Sequence, residues 1–199
     1  MKNLNVLALV LMVAVLAVAI GGCGADEFEF RQEMIVKGTL NIDQAFEGQD
    51  GATATEDLLE TVVFAVDFPL SEKSPELTDY NGLFKEMRIE QLTYTVTENS
   101  MTTDLEEVQL AFGPLGMAAL DDPDAVLVAS LPPIPAGFTG EGTGQTFPQN
   151  AAAASKHVFD LDFGMVSGSE ISVRKDEPLP EGKLKIDIAV TVTLIADAL

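Results

Sequence analysis

The chain has 199 residues, with 32 Asp and Glu against 11 Lys and Arg, and a formal net charge of −21. That balance excludes nucleic acid as a partner, because phosphate backbones demand a basic footprint that is missing here. A single cysteine, Cys23, excludes a disulfide framework and a Cys-ligated metal or haem, so an exported domain relies on its core alone.

Lys2 is followed by an uncharged apolar run from Val6 to Ile20, and then by Gly21, Gly22 and Cys23. The run has signal-peptide length and is short for crossing a hydrocarbon core of ~30 Å. Asp26, Glu27 and Glu29 follow it, where a stop-transfer anchor would carry a basic flank. The string Ile20-Gly21-Gly22-Cys23 resembles the lipobox of bacterial lipoproteins, in which small residues precede a lipid-accepting cysteine. The resemblance covers only the leader and Cys23, and no family is recognised for the rest.

It implies a signal-peptide helix over residues 1–22, cleavage between Gly22 and Cys23, a diacylglycerol on the Cys23 sulfur and an acyl chain on its amine. Two or three such chains anchor stably, since each buried CH₂ contributes ~0.8 kcal/mol. The implied location is the cell envelope, outside the cytoplasmic membrane. Gly24, where inner-membrane lipoproteins carry Asp, resembles the outer-membrane address of Gram-negative bacteria.

Residues 23–27 form a short acidic tether, and 28–199 form one domain. From Phe28 the alternation is clean: Phe28, Phe30, Met34, Val36, Leu40 and Ile42 share one parity, against Glu29, Arg31, Glu33, Lys37, Thr39 and Asn41. Period 2 over this length predicts a strand with one buried face, bent near Gly38. Asp43 to Glu56 reads as a loop. Val62 to Leu70 repeats the alternation, and Pro69 closes it. Ser71 to Leu83 is polar, with Pro75 and Asn81-Gly82, and has room for a helical turn. Arg88 to Thr97 is a third strand in which Leu92, Tyr94 and Val96 share a parity that Ile89 breaks, which predicts a bulge near Gln91.

Shorter strands are predicted over Glu107–Phe112, Ala125–Leu131, His157–Phe163 and Glu170–Arg174, and a long one over Leu184–Leu194. The segment 132–156, with four prolines and four glycines, reads as a long loop unable to supply a core strand. About eight half-solvated strands and no amphipathic helix predict an all-β, antiparallel β-sandwich, with a β-barrel as the alternative.

Candidate chemistry is sparse. His157 is the lone histidine and reads as a strand-end residue rather than a general base. Gly164, Ser167 and Gly168 lack the spacing of a nucleophile elbow, and there is no phosphate loop, H-E-x-x-H or C-x-x-C. Asp160 and Asp162, two apart on the predicted strand, would share a face. Glycosidase use would need a cleft floored by aromatics, whereas the chain holds no Trp and two Tyr. Asp121, Asp122 and Asp124 are the densest oxygen donors for Ca²⁺, helped by Asp176 and Glu177 or by Asp43, Glu47 and Asp50. None of these fits an EF-hand, and Asp-Asp-Pro-Asp is also an ordinary turn string. Phe138 and Phe147, on the Pro/Gly segment, are candidate anchors for a partner protein, or else cap the sandwich end.

The resulting expectation is a lipid-anchored, non-enzymatic binding or envelope-assembly module, held to the membrane by Cys23 and contacting another envelope protein. The alternatives are a calcium-dependent structural lipoprotein and a carbohydrate- or metabolite-processing one.

Overall fold

The computed structural model describes residues 27–47 and 53–198; the leader, Gly22, Cys23 and Asp50 lie outside them. Among the described residues nine strands appear, in chain order: β1 (Glu27–Asn41), β2 (Leu58–Pro69), β3 (Phe84–Asn99), β4 (Val108–Gly113), β5 (Val126–Leu131), β6 (Gly140–Thr143), β7 (Gln145–Thr146), β8 (Asp162–Val173) and β9 (Lys183–Asp197). Short helices α1 (Ile42–Ala45) and α2 (Leu70–Lys73) and the eight-residue α3 (Ala151–Val158) join them. Among the described residues, no helix is long and apolar enough to cross a membrane.

The strands form two antiparallel sheets, in the orders β1-β9-β3-β6 and β2-β8-β4-β5-β7. They face each other as a sandwich and are not closed into a barrel. Alternation explains the arrangement. Met34, Val36 and Leu40 of β1, Leu184 to Leu194 at every second position of β9, and Leu92, Tyr94 and Val96 of β3 all turn inward and are buried. Val62, Phe64, Val66 and Phe68 of β2 meet them from the second sheet, where Phe163 sits 5.1 Å from Phe112 and 5.7 Å from Phe68 between ring centroids. The β3 ladder slips between Ile89 and Gln91, so the expected bulge is present, centred on Glu90.

Two strands read from the sequence are corrected. His157 is not on a strand: α3 runs to Val158 because Ala151, Ala154, Ser155 and Val158, at helical spacing, face the core. The chain then turns through Leu161, at φ 65°, into β8. Asp160 therefore lies in the turn, exposed, and does not share a strand face with Asp162. Second, β8 is one strand of 12 residues that absorbs 164–169.

Nor is 132–156 a free loop. It descends one long side of the sandwich. β6 pairs with β3, Gly144 crosses over, β7 pairs with β5, and α3 follows. The prolines and glycines confine these strands to the edges, which is where such residues are tolerated.

Candidate functional site

Sheet two is apolar on both faces. Its outward positions include Val63 and Ala65 of β2, Ala111 of β4 and Val166 of β8, interleaved with Gly113, Gly164 and Gly168. A strap, residues 114–125, folds back over this face. Met117 and Leu120 press into the notches left by the three glycines, with Leu120 Cδ1 3.2 Å from where a Gly168 Cβ would stand. The result is a second small core of Ala111, Met117 and Val166, separate from the main one. The Gly116 amide donates to Asp67 Oδ1 at 2.8 Å, pinning the strap's tip to the end of β2.

The strap covers only part of the face. Beside it lies a groove of about 590 Å³, lined by Thr61, Gln109 and the carboxylates Glu106, Glu107, Asp121 and Glu170. Glu106 and Glu107 also border a second groove of about 620 Å³, whose other wall is Leu131, Pro132, Pro133 and Thr143 to Gln145. The two acids thus stand on the divide between adjoining hollows. Gln109 Nε2 donates to Glu107 Oε2 at 3.3 Å.

The candidate residues fall in different places. Asp121 reaches the first groove, whereas Asp122 Oδ1 accepts from the Asp124 amide at 2.9 Å, as an Asx turn does. Asp124 pairs weakly with Lys156 at 3.7 Å. Asp43 Oδ1 accepts from the Gly182 amide and Glu177 Oε2 from the Arg174 amide. Glu47 is exposed. Among the described residues, no three His, Cys, Asp or Glu side chains converge as a metal-holding group. His157, half-buried on α3, lies with Nε2 3.2 Å from the Asp124 carbonyl oxygen. Asp162 Oδ1 accepts from the Ser71 hydroxyl at 2.7 Å. Phe138 packs against the main core at the Asn99 end of the sandwich, its carbonyl accepting from Asn99 Nδ2. Phe147 is half-buried further down the same side, its amide donating to the Val128 carbonyl.

Sequence reasoning missed the grooves. Their signal was the run Gly164-Met165-Val166-Ser167-Gly168, small or apolar on both parities, which marks a strand covered on both faces.

The outer face of the other sheet is unlike this one. It carries cross-strand ion pairs, Lys37 with Asp187, Lys85 with Glu27 and Asp197, Arg88 with Glu29, and Lys183 and Lys185 with Glu98, and one pair along β3, Arg88 with Glu86. Hydrogen bonds to Asp197 and then Glu27 push the Lys85 ammonium up to about 12. The hydrogen bond from Lys185 holds Glu98 below the ordinary carboxylate value.

The class the fold defines is an antiparallel two-sheet β-sandwich with a strapped outer face. No family model matches the chain, and no curated protein does. Among solved structures, a chain of turnip yellow mosaic virus is similar at 10% identity over 94% of this chain and 91% of that one, with a TM-score of 0.31. A chain of tobacco necrosis virus is similar at 10% identity over 96% and 95%, TM-score 0.29. A Parabacteroides distasonis protein described as secreted is similar at 11% identity over 74% of this chain and 40% of that one, TM-score 0.30. The fold stated above rests on the strand pairings themselves.

Proposed function

We propose that this is a lipid-anchored lipoprotein of the cell envelope, acting outside the cytoplasmic membrane as a non-enzymatic binding or assembly module. The observation that carries the reading is the separation of anchor and grooves along the sandwich. β1 begins four residues after Cys23, so lipid on that cysteine holds the Glu27–Asp197 end close to the membrane. The 15 residues of β1, at about 3.3 Å each, set the Asn41–Lys183 end about 45 Å further out. Glu106 and Glu107 precede β4, whose start pairs with Leu131 in that outer half, and Phe138 lies at the outer end.

The partner these grooves suit is an envelope protein presenting basic side chains, because four carboxylates line the first groove and long-range attraction steers association. Phe138 and Phe147 bracket the edge strands that wall the second groove. The test is in-cell crosslinking followed by pull-down from wild type, Cys23→Ala, Glu106→Gln/Glu107→Gln and Phe138→Ala/Phe147→Ala. A discrete partner lost from the Glu→Gln variant supports the reading. The same partners in every variant, or none in wild type, refutes it. Cys23→Ala remaining in the membrane fraction refutes the anchor.

A further inference from the structure

We infer that the Glu27–Asp197 end of the sandwich does not hang free on its tether but rests on the lipid surface, with Phe28 and Leu115 entering the interface. The inference rests on the reading of Cys23 as the anchor. Three large apolar side chains are exposed among the described residues: Phe28 at 36%, Leu115 at 57% and Leu59 at 62%. Two of the three stand at the same end of the fold, and it is the anchored end.

Phe28 belongs to the first pairs of β1 with β9, next to Glu27 opposite Asp197. Tyr80 covers one side of it, with ring centroids 5.6 Å apart. Leu115 tips the turn where β4 passes into the strap, beside the Gly113–Gly164 pair and one residue before Gly116, which is bonded to Asp67. The two sheets are joined at this end by the segment from Pro69 through α2 to Phe84, and by the stacking of Phe84 on Phe159 at 5.6 Å. Leu59 lies at the opposite end, where Leu58 faces Val173.

The tether length turns this placement into a docking argument. Four Cα steps separate Cys23 from Glu27, so the Cα atoms of the lipidated cysteine and of the first residue of β1 stay within about 14 Å however the linking residues run. A domain held that close meets the interface at a high effective concentration, and weak apolar insertions suffice to seat it. Phe has the apolar ring suited to the headgroup boundary, and Leu the aliphatic chain that anchors interfacial elements there. The acid-rich surface sets the lipid class: zwitterionic headgroups, since anionic ones would repel it.

The chain contains no tryptophan, so one introduced residue is a sole reporter. The full lipidated protein is reconstituted in phosphatidylcholine vesicles carrying brominated acyl chains, as Leu115→Trp, Phe28→Trp and Leu59→Trp. Intact mass checks the lipid on Cys23 in each sample. The expected result is a blue-shifted emission and several-fold stronger quenching at positions 115 and 28 than at 59. Equal, weak quenching at all three positions in lipidated protein overturns the docked orientation while leaving the anchor intact. A mass without lipid overturns the anchor reading itself, and the docking with it.

Discussion

Replacing Met117 by Ala tests whether the strap is a separately stabilised unit. Met117 is 4% exposed and fills the notch made by Gly113 and Gly164, its Cβ 3.2 Å from where a Gly164 Cβ would stand. Truncating a buried Met costs about 2–3 kcal/mol at a site that partly relaxes. The strap has little to share that loss with. Leu120 and Ala125 are only partly buried, and its amides are held by a few bonds, Gly116 to Asp67, Met117 to the Pro114 carbonyl and Ala125 to the Asp122 carbonyl. The loss therefore falls on local opening rather than on the main core, which lies on the other side of the sheet. Since 1.4 kcal/mol is a factor of ten, exchange of the Gly116, Met117 and Ala125 amides should accelerate about 30- to 150-fold. Amides in the centre of β9 should exchange as before. Native-state hydrogen exchange read by mass spectrometry resolves the two. Uniform acceleration across both sheets would refute the reasoning by making strap and core one cooperative unit, and no acceleration would mean that the glycine notches do not hold the strap. The experiment bears on function, because Ala119, Leu120 and Asp121 of the strap wall the first groove.

Deleting Glu90 should leave a folded protein within about 1 kcal/mol of wild type, because Ile89 and Leu92 then fall on one parity without a bulge. Deleting Thr93 should unfold it, because Tyr94 and Val96, each worth about 1.5–3 kcal/mol buried, are turned outward; chemical denaturation separates the two outcomes. Gln32, 1% exposed, has Nε2 without a partner and accepts at Oε1 from Ser74, itself fully buried. Ser74→Ala should cost about 1–3 kcal/mol, whereas Gln32→Met with Ser74→Ala should recover that loss, as a double-mutant cycle of melting temperatures would show. Glu98 is held below its ordinary value, so its contribution is present at neutral pH and is lost as pH falls through the lowered folded-state value. Between pH 6 and pH 3 the melting temperature of Glu98→Gln should fall less steeply than that of wild type, and parallel curves would refute the assignment. Asp57 Oδ1 accepts from the Lys175 amide across 118 residues, so Asp57→Ala should cost about 1.5–3 kcal/mol and Asp57→Asn, which keeps the acceptor, about half as much.

The long strands were legible because only one thing decides them. In β1, β2 and β9 every second residue enters the core, and a period of two shows through any surface chemistry. The Glu90 bulge was legible for the same reason, as a broken parity. The error over 157–163 arose where two periods coincide. Phe159, Leu161 and Phe163 alternate as a strand would, yet Ala151, Ala154 and Val158 repeat at helical spacing, and the alanine run tips the backbone into a helix that ends at the positive φ of Leu161. The fold of 132–150 was illegible for a different reason. Edge strands of four and two residues carry no pattern long enough to read, and they exist only because β3 and β5 offer open ladders beside them.

The acid surplus divides by what each carboxylate does. Asp43, Asp57, Asp67 and Asp104 accept from backbone amides 32 to 139 residues away, and Asp122, Asp162 and Glu177 accept from amides as well. Without a cross-link available to the domain, these acids fasten loop to loop, which composition alone cannot distinguish from a solvated surface. A second set pairs with the five cations of the ion-laced sheet, Lys37, Lys85, Arg88, Lys183 and Lys185. The remainder includes Glu106, Glu170 and Asp121, whose carboxylates hold no ion pair or hydrogen bond among the described residues and which meet in one groove. Acids that fasten loops are accounted for by folding, and acids paired across strands by their lysines and arginines. The groove acids have no such internal use; Glu33, Glu60 and Glu76 also lack an ion pair or side-chain hydrogen bond among the described residues, and what sets Glu106, Glu170 and Asp121 apart is that they converge in one hollow, so that their like charges add there.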